Sequence, residues 1–166
     1  MRRASFLTLA FAMALNHSVY GDDRNAANGT SPERRTETSV RQANIMKMRL
    51  TVNDKAITAT LIDSETTRDF VSLLPLTLKM NDLFGREKFG HLPRAISEGG
   101  KQTRTYEVGD VIYWSPGPDV AIYYRHDGQS IPAPGIIVIG KIDSGVEALN
   151  VPGSVKVTIE RAENQQ

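Results

Sequence analysis

Residues 45–61 read IMKMRLTVNDKAITATL, and this stretch decides the fold class. Apolar and polar residues alternate on both sides of Asn53 and Asp54, and a period of two is typical of half-buried β-strands. Asparagine and aspartate are favoured in tight turns, because their short side chains bond to nearby backbone groups. The stretch therefore predicts a β-hairpin with one face towards a core.

The same alternation continues towards the C-terminus. It predicts strands at residues 76–80 and 155–159. Residues 108–114 and 120–125 are expected to be a strand and its return strand around a tight loop, and the nearly all-apolar run at residues 136–142 predicts a strand buried on both faces. A short helix is expected after the hairpin, capped by Asp63 or Ser64 and stopped by Pro75, since a proline disfavours helical geometry in the residue before it. A second short helix is expected at residues 144–150.

Residues 81–107 interrupt the alternation. Four glycines and one proline punctuate this segment, which predicts a long connection without regular structure. About seven short strands with one or two short helices predict a mainly β fold, either a closed antiparallel barrel or a sandwich.

The N-terminus has the layout of a secretory signal peptide, assigned to residues 1–21. Arg2 and Arg3 precede an apolar run over residues 4–15, and small residues allow cleavage after Gly21. An uncleaved membrane anchor is the alternative, but spanning a bilayer takes about 20 apolar residues. The sequence therefore predicts an exported protein, periplasmic or secreted, with no membrane insertion after cleavage.

The mature chain divides into three parts. Residues 22–44 contain almost no large apolar side chain, so we expect a disordered polar linker that cannot offset its ordering entropy. Residues 45–161 are the β-rich domain, and residues 162–166 form a polar tail.

Composition excludes several functional classes. The formal net charge is +1, which gives no field for a polyanion, so no nucleic-acid partner is expected. The chain has no cysteine, which excludes disulfides, thiolate nucleophiles and cysteine-ligated zinc. Beyond the leader, His91 and His126 are the only histidines and have no recognisable ligand spacing, so we expect no metal and no cofactor.

Four sequence elements resemble a known family. They are LLPLTL at residues 73–78, EKFG at 87–90 followed by Leu92 and Pro93, GD at 109–110, and IGKI at 139–142. In this order, over roughly residues 46–160, they resemble the bacterial cyclophilin-like domain family. The resemblance implies a small closed antiparallel β-barrel of cyclophilin-like type with a capping helix. It implies no particular reaction, because the family has no established common activity.

The resemblance makes proline isomerisation the first activity to consider. True cyclophilins carry a Phe-His-Arg run, whose arginine binds the substrate carbonyl, and this chain lacks that run. The nearest pairing is Arg125 and His126, with Gln129 close behind. They form either a cationic, hydrogen-bonding patch at the barrel mouth or an ordinary strand-end arginine beside a solvated histidine, and the sequence favours the second interpretation.

The EKFGH segment offers a second group of candidates. Glu87, Lys88 and His91 could line a cleft, with His91 as an acid–base group. Alternatively, Phe89 and Leu92 pin the connection to the barrel while the charged residues face water, which is the favoured interpretation.

Three functional hypotheses remain open. The first is a binding module that holds a peptide or a small molecule in a cleft at the barrel rim. The second is an enzyme that uses the same cleft, such as a weak or atypical peptidyl-prolyl isomerase. The third is an interaction domain without a small ligand. We expect the binding module, and its candidate ligand-binding residues are Arg125, His126, Tyr124, Trp114, His91 and Glu87.

Overall fold

The computed structural model describes residues 46–162. The predicted signal peptide (1–21), the predicted linker (22–44) and residues 163–166 of the predicted tail lie outside the described residues. These assignments therefore stay predictions.

The described chain is built mainly from short strands. They are β1 (Lys47–Val52), β2 (Lys55–Leu61), β3 (Leu76–Leu83), β4 (Glu87–His91), β5 (Gln102–Thr103), β6 (Asp110–Trp114), β7 (Asp119–Tyr123), β8 (Ile136–Ile142) and β9 (Val155–Arg161). One helix, α1 (Glu65–Ser72), follows β2, and a 3-10 turn at Val146–Leu149 precedes β9.

Eight of these strands close into an antiparallel barrel. The order around it is β2-β1-β9-β3-β4-β7-β6-β8, and β8 closes the ring by pairing with β2, where Gly140 lies opposite Leu61. A Cβ at residue 140 would lie 2.9 Å from the carbonyl oxygen of Thr60, so this closure needs a glycine. The strand pattern left a barrel and a sandwich open, and the closed antiparallel β-barrel that the resemblance implied is confirmed.

The local predictions around the first hairpin are also confirmed. Asn53 and Asp54 both have positive φ, 46° and 65°, as a two-residue type I′ hairpin turn requires. Ser64 caps α1 by accepting a hydrogen bond from the backbone N–H of Thr67 at 3.1 Å. The helix ends before Pro75.

The prediction for residues 81–107 is wrong in its first part. Strand β3 continues to Leu83 and forms a hairpin with β4. The connection is Phe84-Gly85-Arg86. Phe84 and Gly85 have φ of 56° and 65°, and the N–H of Arg86 donates to the carbonyl of Leu83. A phenylalanine rarely adopts positive φ, so Phe84 does not mark a hairpin turn, although Gly85 is a turn residue.

The barrel has two apolar regions because residues of β4, β6 and β7 point alternately inwards and outwards. The inward side chains form the main core, which includes Met48, Leu50, Val111, Ile122 and Val157. The outward Ile112, Ala121 and Tyr123 form a second cluster with Tyr106 from the segment before β6, Ile131 from the segment before β8, and Ile136 at the start of β8. All five residues of β7 are buried.

Candidate functional site

The outer face of β4, β7 and β6 carries the candidate site. Strand register places its outward side chains in three rows: Glu87 with Tyr123; Phe89 with Ala121 and Ile112; and His91 with Asp119 and Trp114. The middle row is apolar, and each outer row contains a carboxylate.

A cavity of about 240 Å³ lies on this face, and we call it the outer cavity. Phe89, Ala121 and Ile112 line it from the strands, and Ile131 and Pro132 line it from the segment before β8. Ala121 stands between two larger side chains in its row, so its single methyl group leaves a depression there. The cavity exists because the central residue of the row is small.

Arg86 is the cationic group of the outer cavity. The residue is only 7% exposed, its Nε donates to Oε1 of Glu87 at 3.3 Å, and its Nη1 donates to Oδ2 of Asp127 at 3.0 Å. Among residues 46–162, no group accepts a hydrogen bond from Nη2. One donor nitrogen of a cavity-lining guanidinium is therefore available.

Three aromatic rings surround the Arg86 guanidinium. Its Cζ lies 5.2 Å from the ring centre of Phe84, 5.4 Å from that of Tyr106 and 5.8 Å from that of Tyr123, within the range of cation–π attraction. Tyr106 and Tyr123 are stacked, with 3.9 Å between ring centres. Aromatic packing thus holds the guanidinium in place.

The charges around Arg86 follow from their contacts. Burial lowers the pKa of Arg86, but the hydrogen bond to Asp127 and the charge of Glu87 outweigh burial, so the pKa is raised. A hydrogen bond from Tyr106 and one from the Gln129 backbone lower the pKa of Asp127 to about 2. Arg86 and Asp127 are therefore both ionised at neutral pH.

The pKa of Glu87 reflects two opposing effects. Burial raises its pKa, whereas contacts with Tyr123 and Arg86 lower it, and the net direction is upward. Burial also raises the pKa of Tyr123, and the neighbouring Glu87 carboxylate adds to the increase. Tyr123 is therefore a neutral hydroxyl at the edge of the outer cavity.

Phe84 stands at the edge of the outer cavity, at the tip of the β3–β4 hairpin. It is 76% exposed and has a φ of 56°, which costs backbone energy in a residue that is not glycine. Strained residues of this kind cluster at ligand-binding sites. Phe84 provides an exposed aromatic surface beside Arg86.

Asp119 is the acidic group at the other end of the outer cavity. Its Oδ1 is buried and accepts no hydrogen bond from residues 46–162. Nδ1 of His91 lies 2.6 Å from this oxygen, but the hydrogen bond of that nitrogen joins it to the Gly117 carbonyl oxygen at 2.9 Å. Burial raises the pKa of Asp119, and the charge of His91 opposes the increase.

The structure brings together only part of the set predicted from the sequence. Glu87 and Trp114 line the outer cavity, and the exposed His91 contacts Asp119, which also lines it. His126 stacks on Tyr106, with 4.7 Å between ring centres. It therefore lies behind the aromatic rings that surround Arg86.

Tyr124 and Arg125 are placed elsewhere. Tyr124 belongs to the main core, and its hydroxyl donates to Oδ2 of Asp82 at 2.6 Å. Arg125 is exposed, and its Nη2 lies 3.4 Å from Oδ1 of Asn150. No single rim cleft contains all six predicted residues within the described part of the chain.

The expectation that the charged residues of the EKFGH segment face water is wrong for two of them. Glu87 is 5% exposed and Lys88 is 0% exposed. Lys88 points into the barrel, and its Nζ donates to Oδ2 of Asp82 at 2.7 Å and to the carbonyl oxygens of Val151 at 2.5 Å and Gly153 at 2.7 Å. All three donors of the ammonium group are used, so Lys88 is a structural residue.

The set predicted from the sequence contains two of the thirteen residues that line the outer cavity, and it lacks Phe84, Arg86, Asp119 and Tyr123 among others. The alternation in the EKFGH segment was a usable signal, because Glu87, Phe89 and His91 share one face of a strand. Reading a strand there would have placed Arg86 at its start. Nothing local marks Asp119, whose position depends on pairing with β4 and β6.

Residues 46–162 contain no group of three or more histidine, aspartate or glutamate side chains placed to hold a metal ion. In the same range, no helix has the length and apolar character needed to cross a membrane.

The closed eight-stranded barrel and the cavity on its outer face define a small cyclophilin-like β-barrel protein. The model of the Cyclophilin-like family matches residues 50–160. The chain therefore belongs to this family. No curated protein matches it.

Two solved structures are similar to the chain. One is the solution structure of a hypothetical protein from Archaeoglobus fulgidus, AF2241, with 26% identity and a TM-score of 0.58; the match covers 71% of this chain and 95% of that one. The other is McbB in complex with tryptophan, with 14% identity and a TM-score of 0.52; the match covers 72% of this chain and 46% of that one. The likeness to McbB concerns the fold alone.

Proposed function

We propose that the barrel is a peptide-binding module whose ligand places one side chain in the outer cavity. The observation that carries this proposal is the buried Arg86 guanidinium, held among three aromatic rings with one N–H donor group unused. A donor of this kind suits a peptide carbonyl, because a hydrogen bond from an ionised group in an apolar setting is stronger than one in water.

The size of the outer cavity favours a peptide over a whole small molecule. Its volume is about 240 Å³, whereas pockets that enclose a drug-sized ligand measure roughly 300–1,000 Å³. The cavity therefore suits one side chain of a longer ligand. Because the row Phe89, Ala121 and Ile112 is apolar, that side chain is apolar, and the exposed ring of Phe84 offers it further contact.

A peptide titration tests this proposal. The probes are acetylated and amidated pentapeptides with a central glycine, alanine, valine, leucine, proline or phenylalanine, added to the full chain labelled with ¹⁵N. We expect the larger apolar residues to bind best and to shift the amide signals of β4, β6 and β7. Equal responses to glycine and to the apolar residues would contradict the proposal.

Ala121→Leu is the decisive variant, because it fills the cavity without touching a polar group. It should reduce peptide affinity at least tenfold. Ala56→Leu is the matched control, since Ala56 is exposed on β2, and it should leave affinity unchanged. Affinity that survives Ala121→Leu would place the ligand elsewhere.

Peptidyl-prolyl isomerisation is the second candidate function. The observation that favours it is again Arg86, because an arginine among aromatic rings is what the cyclophilin reaction needs. Against it, Glu87 and Asp127 both bind the guanidinium and offset its charge. Binding without turnover is therefore the function we favour.

We also propose that the module works outside the cytoplasm, because residues 1–21 have the layout of a signal peptide. The mature protein should begin at Asp22, which N-terminal sequencing of the exported protein would test. A soluble cytoplasmic protein that retains Met1 would contradict this proposal.

A further inference from the structure

Asp119 lacks the hydrogen bonds that other aspartates of residues 46–162 accept. Four of them each accept at least three hydrogen bonds: Asp69, Asp82, Asp127 and Asp143. Asp119 is 9% exposed, yet its buried Oδ1 accepts none. The other oxygen, Oδ2, accepts no hydrogen bond from residues 46–162 either and is not buried, so the carboxylate can take a donor from outside through Oδ2.

The surroundings of Asp119 favour a cation as that donor. Trp114 lies opposite Asp119 in the strand register, and tryptophan is the best aromatic partner for a cation. Two carboxylates, Glu87 and Asp119, line the outer cavity together with one guanidinium, Arg86. His91 lies against Oδ1, with its Nδ1 at 2.6 Å, but that nitrogen is hydrogen-bonded to the Gly117 carbonyl oxygen, so His91 leaves Oδ2 without a partner.

The spacing along β7 sets where this cation must lie on the ligand. Asp119 and Ala121 are two residues apart on the same face of one strand, about 6.6 Å. In an extended peptide, side chains at positions i and i+2 also share a face and have the same separation. An apolar side chain over Ala121 and a basic side chain at Asp119 therefore fit one extended peptide.

We infer that the preferred ligand is an extended peptide with the pattern apolar–x–basic, in either direction along β7, whose lysine or arginine pairs with Asp119. This inference rests on the proposed function, because it uses the same cavity for the apolar residue. It adds a specificity-determining residue, Asp119, and a defined position for the basic residue of the ligand.

Three probe peptides test the inference by calorimetry on the full chain. They are acetyl-Gly-Leu-Gly-Lys-Gly-amide, the same peptide with norleucine in place of lysine, and a peptide in which lysine directly follows leucine. Norleucine keeps the aliphatic stem and removes the charge, and the third peptide moves the lysine to the opposite face. We expect the first peptide to bind about tenfold tighter than the other two. This difference in affinity should decrease as salt is added, because salt screens the ion pair with Asp119.

Asp119→Asn should abolish the preference for lysine, so that the lysine and norleucine peptides bind this variant with equal affinity. Thermal melting of this variant checks that it is folded. Equal binding of the lysine and norleucine peptides by the unmodified protein, with Ala121→Leu still weakening both, would overturn the inference and leave the proposed function intact. Binding of none of the three peptides would overturn both.

Discussion

The interior of the barrel and the outer face at β4 and β7 differ in how they hold buried charge. Inside the barrel, Lys88 is 0% exposed, and its three donors all have acceptors. On the outer face, Arg86 leaves one nitrogen unused and Asp119 leaves one buried oxygen unused. Charged side chains are buried in both regions, but only in the inner one does every donor of the buried charge have a hydrogen-bond acceptor.

The difference separates a structural network from a binding surface. A charge is kept inside a protein only when hydrogen bonds replace its lost hydration. Lys88 meets this condition with Asp82 and two carbonyl groups, and it links β4 to the residues before β9. The outer cavity meets the condition only in part, because Arg86 and Asp119 each have an atom without a hydrogen-bond partner. A peptide can supply partners to these two residues.

The largest effect is expected for Lys88→Met. The substitution keeps a long side chain in the barrel but leaves Asp82 and two carbonyl groups without their donor, which should lower the free energy of unfolding by about 3 kcal/mol. Urea denaturation measures this. Lys79→Met is the control, because Lys79 is exposed on β3, and a similar loss in both variants would contradict the assignment of Lys88.

The same substitution at two aspartates should give opposite results. Asp82→Asn weakens the pair with Lys88 and should cost on the order of 2 kcal/mol. Asp119→Asn removes a buried charge that lacks a hydrogen bond and should stabilise the free protein by less than about 1 kcal/mol. Urea denaturation at neutral pH compares the two; equal destabilisation would show that Asp119 has a structural partner.

The contributions of these two aspartates to stability should also change with pH in opposite directions. Burial raises the pKa of Asp82, but hydrogen bonds from Lys88 and Tyr124 outweigh burial, so the pKa is lowered. Its contribution to stability is then present above pH 3.8, the ordinary aspartate value, and is lost as the pH falls below it.

Burial raises the pKa of Asp119, despite the opposing charge of His91. Its contribution to stability therefore decreases as the pH rises from 3.8 to its folded-state pKa. Carboxyl ¹³C NMR would follow both groups, with Asp127, at a pKa of about 2, as an internal reference. Titration of Asp119 below that of Asp82 would contradict the comparison.

The smallest effect is expected in a prolyl isomerase assay. Because Glu87 and Asp127 already bind Arg86, we expect isomerisation of a standard X-Pro peptide at the background rate. Arg86→Lys, which keeps the charge, and Arg125→Ala should then behave like the unmodified protein. Strong acceleration that Arg86→Lys abolishes would make the barrel an enzyme.

The fold could be predicted from the sequence where the pattern that determines it lies within one short segment. The alternation over residues 45–61 and the turn at Asn53 and Asp54 gave the first hairpin. The order of the family-like elements gave the barrel. The β3–β4 hairpin escaped because Phe84 occupies a turn position that usually takes asparagine, aspartate or glycine.

The candidate site was less predictable because it depends on pairing between distant strands. Glu87 and Trp114 were expected at a ligand site, and both line the outer cavity. Tyr124 and Arg125 adjoin Tyr123 in the sequence, but Tyr124 points into the barrel and Arg125 follows the strand. Neighbouring residues of a strand point to opposite sides of the barrel wall, so a shift of one residue moves a side chain from the cavity to the core. No sequence motif indicates which side a given residue takes.

Trp114 gives the outer cavity an optical property that the rest of the protein lacks. It is the only tryptophan among the 166 residues, it lies opposite Asp119 and it lines the outer cavity. Indole emission selectively excited in this protein therefore originates at that surface alone, while the tyrosines of the barrel interior stay silent. The chain carries its own fluorescent reporter of whether the cavity is occupied.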